Sequence, residues 1–287
     1  MNIVKRAFFG GIYVALIVAS LLLWDTTKWV FVALFACFII LGMNEASKLF
    51  NHSNQKASPL IKGIDMVGAI AMFLAIFAHY NLPSVACLLM ISAAGYLLVR
   101  FTTQLYMPSR NAIIDVAQSI GSIAYVALPI IFLIIIASQF SPRIVLAMFV
   151  FIWLNDTGAF LVGCAIGKHR LFERISPKKS WEGVFGGAVF VIAAAIAFAC
   201  VPWLKEVFNP LDLGLATWIA LAVATVIAST LGDLFESLLK RTAGVKDSGN
   251  IIPGHGGILD RIDSPLFVAL ATIIILQIAT LSQQVTC

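Results

Sequence analysis

Long apolar runs recur along the whole chain, and they constrain its fold more than any other feature. Of the 287 residues, 61% are hydrophobic and only 11% are charged, and the mean hydropathy is +0.99. A transmembrane helix needs about 20 mostly apolar residues to cross the hydrocarbon core of a bilayer. Several runs approach that length, and the core of a water-soluble protein explains them poorly. The sequence therefore predicts an all-α, polytopic integral membrane protein.

Runs of low charge predict nine transmembrane spans. The spans cover about residues 8–24, 29–43, 64–80, 84–101, 113–137, 144–167, 183–202, 212–232 and 265–281. With this division, all 19 lysines and arginines except Lys28, Arg143 and Lys205 fall on one side of the membrane. Because Lys and Arg near span ends are retained in the cytoplasm, we predict a cytoplasmic N-terminus and a C-terminus outside.

The distribution of charge divides the chain into two predicted regions. Residues 1–140 contain apolar helices with few polar residues at membrane depth, so we predict a scaffold region that is available for homodimer contacts. Residues 141–287 contain two charged segments, 168–182 and 233–264, and we predict the catalytic region there. No internal repeat is apparent, which disfavours a transporter with duplicated halves.

Two other classes of site have no support in the composition. The five cysteines are scattered and lack C-x-x-C spacing, so neither a disulfide framework nor a zinc site is indicated. The net charge of +5 arises in short loops, where topology and anionic headgroups account for it. No recognition motif accompanies these charges, so nucleic acid is not an expected partner.

A carboxylate lies deep inside the sixth predicted span. Asp156 stands in W-L-N-D-T-G-A-F, where an ionised carboxylate costs roughly 2.5 to 3.5 kcal/mol. One interpretation is a hydrogen-bonded cluster of Asp156 with Asn155 and Thr157 that holds neighbouring helices together. The other is a polar cavity, reached from the cytoplasm, in which Asp156 positions a substrate group or a cation. Gly158 and Gly163 would let a neighbouring helix come close.

A short basic segment, I-S-P-K-K-S-W-E-G at residues 175–183, precedes the seventh predicted span. Its two lysines could serve only as topology signals. The serines beside them and the N-terminus of the following helix offer donors that suit phosphate oxygens. We therefore predict a polyphosphate-binding segment, with Ser176, Lys178, Lys179 and Ser180 as candidates.

The densest polar block follows the eighth predicted span. If that span continues as a helix beyond the membrane, Asp233, Ser237, Lys240 and Arg241 fall at i, i+4, i+7 and i+8 and form one stripe. A carboxylate and two cations then share a face of the helix.

The end of this block adds a glycine-rich turn and further carboxylates. The turn P-G-H-G-G at residues 253–257 can bring backbone N–H groups against an anion. Asp260 and Asp263 can face one cation if they lie on a helix, and Ser264 with Pro265 is expected to open the last helix. Several carboxylates without cysteine favour a hard cation such as Mg²⁺ over zinc.

Residues 237–263 resemble the phosphatidate cytidylyltransferases, also called CDP-diacylglycerol synthases. The signature of that family is S-x-[aliphatic]-K-R-x4-K-D-x-[small]-x2-[I/L/F]-P-x-H-G-G-x2-D-R-x-D, and the chain matches every defined position. The W-x-x-D-T-x-A and S-P-K-K-S-x-E-G segments are also similar to the family's. The resemblance implies transfer of the cytidylyl group of CTP to phosphatidic acid, giving CDP-diacylglycerol and pyrophosphate. It also implies dependence on Mg²⁺ and a site on the cytoplasmic face of the membrane. The length and tight loops of the chain suit a bacterial inner-membrane enzyme.

The same resemblance assigns roles to individual residues. Asp233 and Asp260 would be the metal ligands, and the number of cations is left open. The implied catalytic residues are Asp233, Asp260, Asp263, Lys240 and Arg241. The implied substrate-binding residues are Asn155, Asp156, Ser176, Lys178, Lys179, Ser180, Glu182, Ser237, Lys246, Asp247, His255, Gly256, Gly257 and Arg261.

Two alternatives belong to other classes of protein. In a cation- or proton-coupled transporter, Asp156, Asp233 and Asp260 would form a relay across the bilayer. That interpretation gives no role to the loop lysines or to P-G-H-G-G. In a non-catalytic lipid scaffold, replacing Asp260 would change only stability.

Overall fold

The structure is a computed structural model that describes residues 3–50, 58–82, 87–108, 111–251 and 256–286. Its helices are α1 (Ile3–Leu22), α2 (Trp29–Phe50), α3 (Pro59–Asn81), α4 (Leu88–Tyr106), α5 (Ala112–Ser122), α6 (Leu128–Ile135), α7 (Pro142–Ile166), α8 (Trp181–Cys200), α9 (Pro202–Phe208), α10 (Leu215–Thr242) and α11 (Leu259–Thr286). The strands in the described residues are β1 (Arg170–Phe172) and β2 (Ser176–Ser180), which pair antiparallel. The predicted all-α class is confirmed, with this short hairpin as an addition.

Within the described part of the chain, eight helical segments are long and apolar enough to cross a membrane. Seven are α2, α3, α4, α7, α8, α10 and α11; the eighth is the continuous run Ala112–Phe140, which contains α5, α6 and two π-helical turns. The first predicted span falls on α1, whose described apolar part, Phe8–Leu22, is shorter. The polytopic membrane architecture is confirmed, and the sidedness of the termini stays a prediction.

The last helix begins earlier than the sequence predicted. Helix α11 starts at Leu259, so Ser264 and Pro265 lie inside it and do not open it. Proline has no N–H, so Pro265 leaves the carbonyl of Arg261 without its usual helical partner. The hydroxyl of Tyr13 donates to that carbonyl at 2.9 Å. This bond supplies the missing donor and explains how the helix continues through the proline.

Contacts along the chain group the described residues into two compact units. The first lies within Met1–Gln139 and Leu239–Ile262, and the second within Phe140–Leu238 and Asp263–Cys287. The second unit has an aromatic core in which Phe198 stacks on Phe151 and on Phe208, with ring centroids 5.4 and 4.0 Å apart, while Trp218 meets it edge-on.

The first unit contains a buried polar cluster between its helices. Arg100, one of the basic residues assigned to the cytoplasmic side, lies inside α4 and is fully buried. Its Nε donates to Ser119 Oγ at 2.8 Å and lies 3.7 Å from Asp65 Oδ1, which also accepts from the Tyr96 hydroxyl at 3.0 Å. Arg100 therefore packs helices together and is a poor marker of loop topology.

Candidate functional site

A cavity of about 550 Å³ lies in the second unit, between α7, α8, α10 and the hairpin. Ligand sites commonly have volumes of roughly 300 to 1,000 Å³. The lining residues are Asn155, Asp156, Ala159, Phe160, Gly163, Cys164, Arg170, Lys178, Lys179, Ser180, Gly183, Val184, Ser229, Thr230 and Asp233. Candidates from three separate segments of the sequence thus meet at one cavity.

Glycines let α7 and α8 approach each other closely beside this cavity. A Cβ atom added to Gly158 would lie 3.0 Å from the Gly186 carbonyl oxygen, and one added to Gly183 would lie 2.9 Å from the Ala159 carbonyl oxygen. At Gly163 the corresponding distance to the Gly183 Cα is 3.6 Å, an ordinary contact. The close helix approach predicted at Gly158 is therefore observed. A side chain at this position would have little room between the two helices.

Asn155 joins three helices behind the cavity. It is buried on α7, its Nδ2 donates to Ser229 Oγ on α10 at 2.9 Å, and its Oδ1 occupies the space that a Cβ atom of Gly187 on α8 would fill. No hydrogen bond to that Oδ1 is seen within the described residues. A buried amide oxygen of this kind can accept a hydrogen bond or coordinate a hard cation.

The charged groups of the cavity have opposite signs, with cations in excess. Lys179 Nζ lies 2.6 Å from Asp233 Oδ2, and their side chains are 27% and 38% exposed. Arg170 and Lys178 add two cations to the lining, and Asp156 adds one carboxylate. With three cations and two carboxylates, the lining has a net positive charge, which favours anions such as polyphosphates.

The charged segment 168–182 folds into the β1–β2 hairpin and the first turn of α8. Ser180 caps that helix, because its Oγ accepts from Gly183 N at 3.2 Å. Glu182 binds back to His169, with its Oε1 2.6 Å from His169 Nδ1 and both oxygens 3.2 Å from His169 N. Glu182 and Ser176 are not among the residues that line the cavity, so their predicted contact with substrate stays a prediction.

The predicted polar stripe is present on α10. The helix extends to Thr242, and Ser237 Oγ donates to Asp233 Oδ1 at 3.2 Å, as the i, i+4 spacing requires. Lys240 and Arg241 occupy the last turn of the same helix.

A second polar cluster lies in the first unit and surrounds Asp260. Lys240 Nζ lies 2.7 Å from Asp260 Oδ1, and the side chains are only 14% and 7% exposed. Asp260 Oδ2 accepts three hydrogen bonds, from Ser248 N at 3.1 Å, Ser248 Oγ at 2.9 Å and Gly257 N at 2.7 Å. The pair is therefore buried and held rigidly, which suits a group that must keep one orientation.

Gly256, the first described residue of the glycine-rich turn, lies close to this carboxylate. Gly256 has a φ of +81°, which disfavours residues with a Cβ atom. A Cβ atom added there would also lie 2.5 Å from Asp260 Oδ2. His255 lies outside the described residues, while Lys246 and Asp247 are exposed nearby in sequence.

The oxygen atoms of these clusters suit a hard cation. Asp156, Asp233 and the amide oxygen of Asn155 lie at one cavity, and Mg²⁺ prefers carboxylate and carbonyl oxygens. The described residues include no group of three or more His, Cys, Asp or Glu side chains arranged to hold a metal. Asp260 belongs to the other unit, so its pairing with Asp233 at a metal ion stays a prediction.

Several residues at these sites were missed by the sequence analysis. Arg170, Ser229 and Thr230 line the cavity, and Arg170 had been treated only as a topology signal. Glu45 on α2 is fully buried and contacts the segment that precedes α11. An acidic residue next to a predicted span was the available signal, since buried carboxylates in membrane helices are rarely without a role.

Comparisons with known proteins agree with the resemblance of the motifs. Residues 4–279 match a family model described as "Cytidylyltransferase family". A Staphylococcus epidermidis protein named "Phosphatidate cytidylyltransferase" is 42% identical over 172 residues, which are 59% of this chain and 62% of that protein's length. A Staphylococcus aureus protein of the same name is 34% identical over 215 residues, which are 74% of this chain and 79% of that protein's length. One from Haemophilus influenzae is 47% identical over 121 residues, which are 42% of this chain and 41% of that protein's length. The match across nearly the whole chain shows that the protein belongs to the cytidylyltransferase family.

Proposed function

We propose that the protein is a phosphatidate cytidylyltransferase of phospholipid biosynthesis. It would transfer the cytidylyl group of CTP to phosphatidic acid, releasing pyrophosphate, at the cytoplasmic face of a bacterial inner membrane. The names of the relatives and the family match support the reaction. The observation that carries it furthest is the cavity of the second unit, where three cations and two carboxylates share one lining.

This reaction needs positioned charges and no protein nucleophile. A phosphate oxygen of phosphatidic acid attacks the α-phosphorus of CTP, the bond to the β,γ-pyrophosphate breaks, and pyrophosphate leaves with its electron pair. Catalysis then consists of in-line positioning and stabilisation of charge on the phosphates. Arg170, Lys178 and Lys179 are suited to bind the phosphates of the nucleotide and the lipid, and the Ser180 cap fixes the hairpin that carries them.

Magnesium is the proposed cofactor, and Asp233 is its proposed ligand in this cavity. When bound, Mg²⁺ would neutralise phosphate oxygens and make the leaving pyrophosphate more stable. Asp233 keeps Lys179 within 2.6 Å, so the chain itself orients one cation before any phosphate arrives. Asp260 is the second proposed ligand; its Oδ2 already accepts three hydrogen bonds, which leaves Oδ1, near Lys240, as the better candidate oxygen.

Phosphatidic acid brings a further requirement, because its acyl chains stay in the bilayer while its phosphate reacts. The cavity lining includes apolar groups beside the charged ones, among them Ala159, Phe160 and Val184. Phe160 is 69% exposed. We propose that this apolar wall faces the acyl chains and that the site opens toward the lipid as well as the cytoplasm.

A transporter is not favoured by these features. The proposed relay would need Asp156 and Asp233 to exchange protons or cations. Instead, Asp233 contacts Lys179 in a cavity that also contains Arg170 and Lys178. Those three cations suit the phosphates of a nucleotide or a lipid, whereas a cation relay gives them no role.

The test is CTP-dependent release of pyrophosphate by detergent-purified protein supplied with phosphatidic acid and Mg²⁺. We expect turnover that requires both substrates, and a fall of at least about tenfold in Asp233→Asn. The matched control is Asp212→Asn, which removes an exposed carboxylate that pairs with Lys205 at 2.6 Å outside the cavity. Absence of pyrophosphate release from the folded wild-type protein would overturn the proposal.

A further inference from the structure

We propose that Glu45 is a positioning residue for the reaction, acting through Asp260 and the hydrogen-bond donors around it. The inference rests on the proposed function and adds a residue from α2, more than 200 positions earlier in the chain. Glu45 would not touch substrate. Its role would be to hold Ser248 and the backbone at Ile258 and Leu259, so that Asp260 and Lys240 keep one geometry.

The carboxylate of Glu45 caps the start of α11. Glu45 is fully buried, its Oε2 accepts from Leu259 N at 2.8 Å, and its Oε1 accepts from Ile258 N at 3.2 Å. The first N–H groups of a helix lack partners within the helix, and the helix dipole favours a negative charge there. The carboxylate, which belongs to α2, therefore supplies the acceptors for the N–H groups at the residue where α11 begins.

Two glycines that precede α11 leave room for this carboxylate. Gly249 and Gly257 both place their backbones directly against Glu45, and a Cβ atom on either would overlap the carboxylate group. Both glycines therefore contact the same side chain. A larger residue at either position would have to displace Glu45.

The Ser248 hydroxyl lies between Glu45 and Asp260 and can donate its one proton to either. Ser248 Oγ lies 3.0 Å from Glu45 Oε2 and 2.9 Å from Asp260 Oδ2. Three consecutive amides are divided between the two carboxylates: Gly257 N donates to Asp260, and Ile258 N and Leu259 N donate to Glu45. A shift of Glu45 would therefore move the donors that orient Asp260.

A buried carboxylate that only stabilises the first unit provides a matched control for Glu45. Asp65 is another buried carboxylate of the first unit, on α3, where it accepts from Tyr96 and lies near Arg100. Asp65→Asn should lower thermal stability without changing the geometry around Asp260. Glu45→Gln is the closest change at the proposed position, because it keeps the size of the side chain and one acceptor oxygen.

The experiment compares these two variants with the wild-type full-length protein in detergent. We expect Glu45→Gln to lower kcat about tenfold or more, as removal of outer-shell partners does at other sites. We expect faster hydrogen exchange in peptides covering residues 256–262, because the amides of Ile258 and Leu259 lose an acceptor. Asp65→Asn should alter neither quantity. A Glu45→Gln protein with wild-type kcat and wild-type exchange in that segment would overturn the inference.

A double-mutant cycle adds a second readout. If Glu45 acts through the shared hydroxyl, Ser248→Ala and Glu45→Gln should be non-additive in log kcat, because they disrupt one network. Additive effects would contradict action through Ser248. The exchange measurement does not depend on turnover, so it still tests whether Glu45 holds the start of α11 if the proposed reaction itself fails its test.

Discussion

The exposure and the location of the ion pair between Lys179 and Asp233 indicate whether it contributes to ligand binding or to folding stability. Both side chains keep appreciable exposure, and partly exposed ion pairs contribute little to folding. The pair nevertheless lies in the lining of the cavity, beside Asp156 and Lys178. Its placement is therefore better explained by binding of a charged ligand than by stabilisation of the fold.

We predict that Lys179→Met reduces turnover of CTP with little loss of stability. A hydrogen bond to a charged group contributes about 1.5 to 3 kcal/mol, so kcat/KM for CTP should fall at least about tenfold. Steady-state kinetics and thermal unfolding in detergent measure the two effects. Lys205→Met is the control, since Lys205 pairs with Asp212 away from the cavity. Equal kinetics in the two variants would contradict a phosphate-binding role for Lys179.

Individual site residues were predictable only where their motif was distinctive. Asp156, Lys179 and Asp233 stood out because each is a charge in or next to an apolar run. Arg170 did not stand out, because a basic loop residue also serves as a topology signal. Glu45 was missed for a related reason. Its partners Ser248, Ile258 and Leu259 follow it by more than 200 residues, and periodicity carries no information about such contacts.

Helices were easier to predict than their ends. Hydropathy located the spans because crossing the bilayer requires a minimum apolar length. The start of α11 was predicted wrongly, because local capping signals at Ser264 and Pro265 were outweighed by Glu45 and by the hydroxyl of Tyr13. Both of these partners come from other helices. The hairpin of β1 and β2 was also missed, since three- and five-residue strands give too short a pattern.

The packing of α7 on α8 gives a prediction about stability. A methyl group at position 187 would overlap Asn155 Oδ1, so Gly187→Ala should destabilise the protein by roughly 1 to 3 kcal/mol. Gly95→Ala is the control: Gly95 lies within α4 with no atom within 4 Å of an added Cβ, and alanine favours a helix by up to about 1 kcal/mol. Thermal unfolding should therefore shift in opposite directions. A shift of the same sign in both variants would contradict the packing argument.

The molecule as a whole has a discontinuous organisation that the sequence did not suggest. Residues 239–262 group with the first 139 residues, although the charged block to which they belong begins on the preceding helix. The boundary falls within α10 and within α11, so both helices continue from one unit into the other. Hydropathy describes each helix separately, which is why it located the long apolar helices and gave no indication of this grouping.

The sidedness of the membrane protein is the last prediction. Arg100 is a buried helix residue, but the other basic residues assigned to the cytoplasm still outnumber Lys28, Arg143 and Lys205. We therefore expect position 210 outside and position 173 inside; both residues are exposed in the structure. In a cysteine-free background, an impermeant maleimide added to intact cells should label Pro210→Cys, and Glu173→Cys only after permeabilisation. Because the proposed site needs cytoplasmic CTP, labelling of Glu173→Cys in intact cells would contradict both the topology and the proposed location of the reaction.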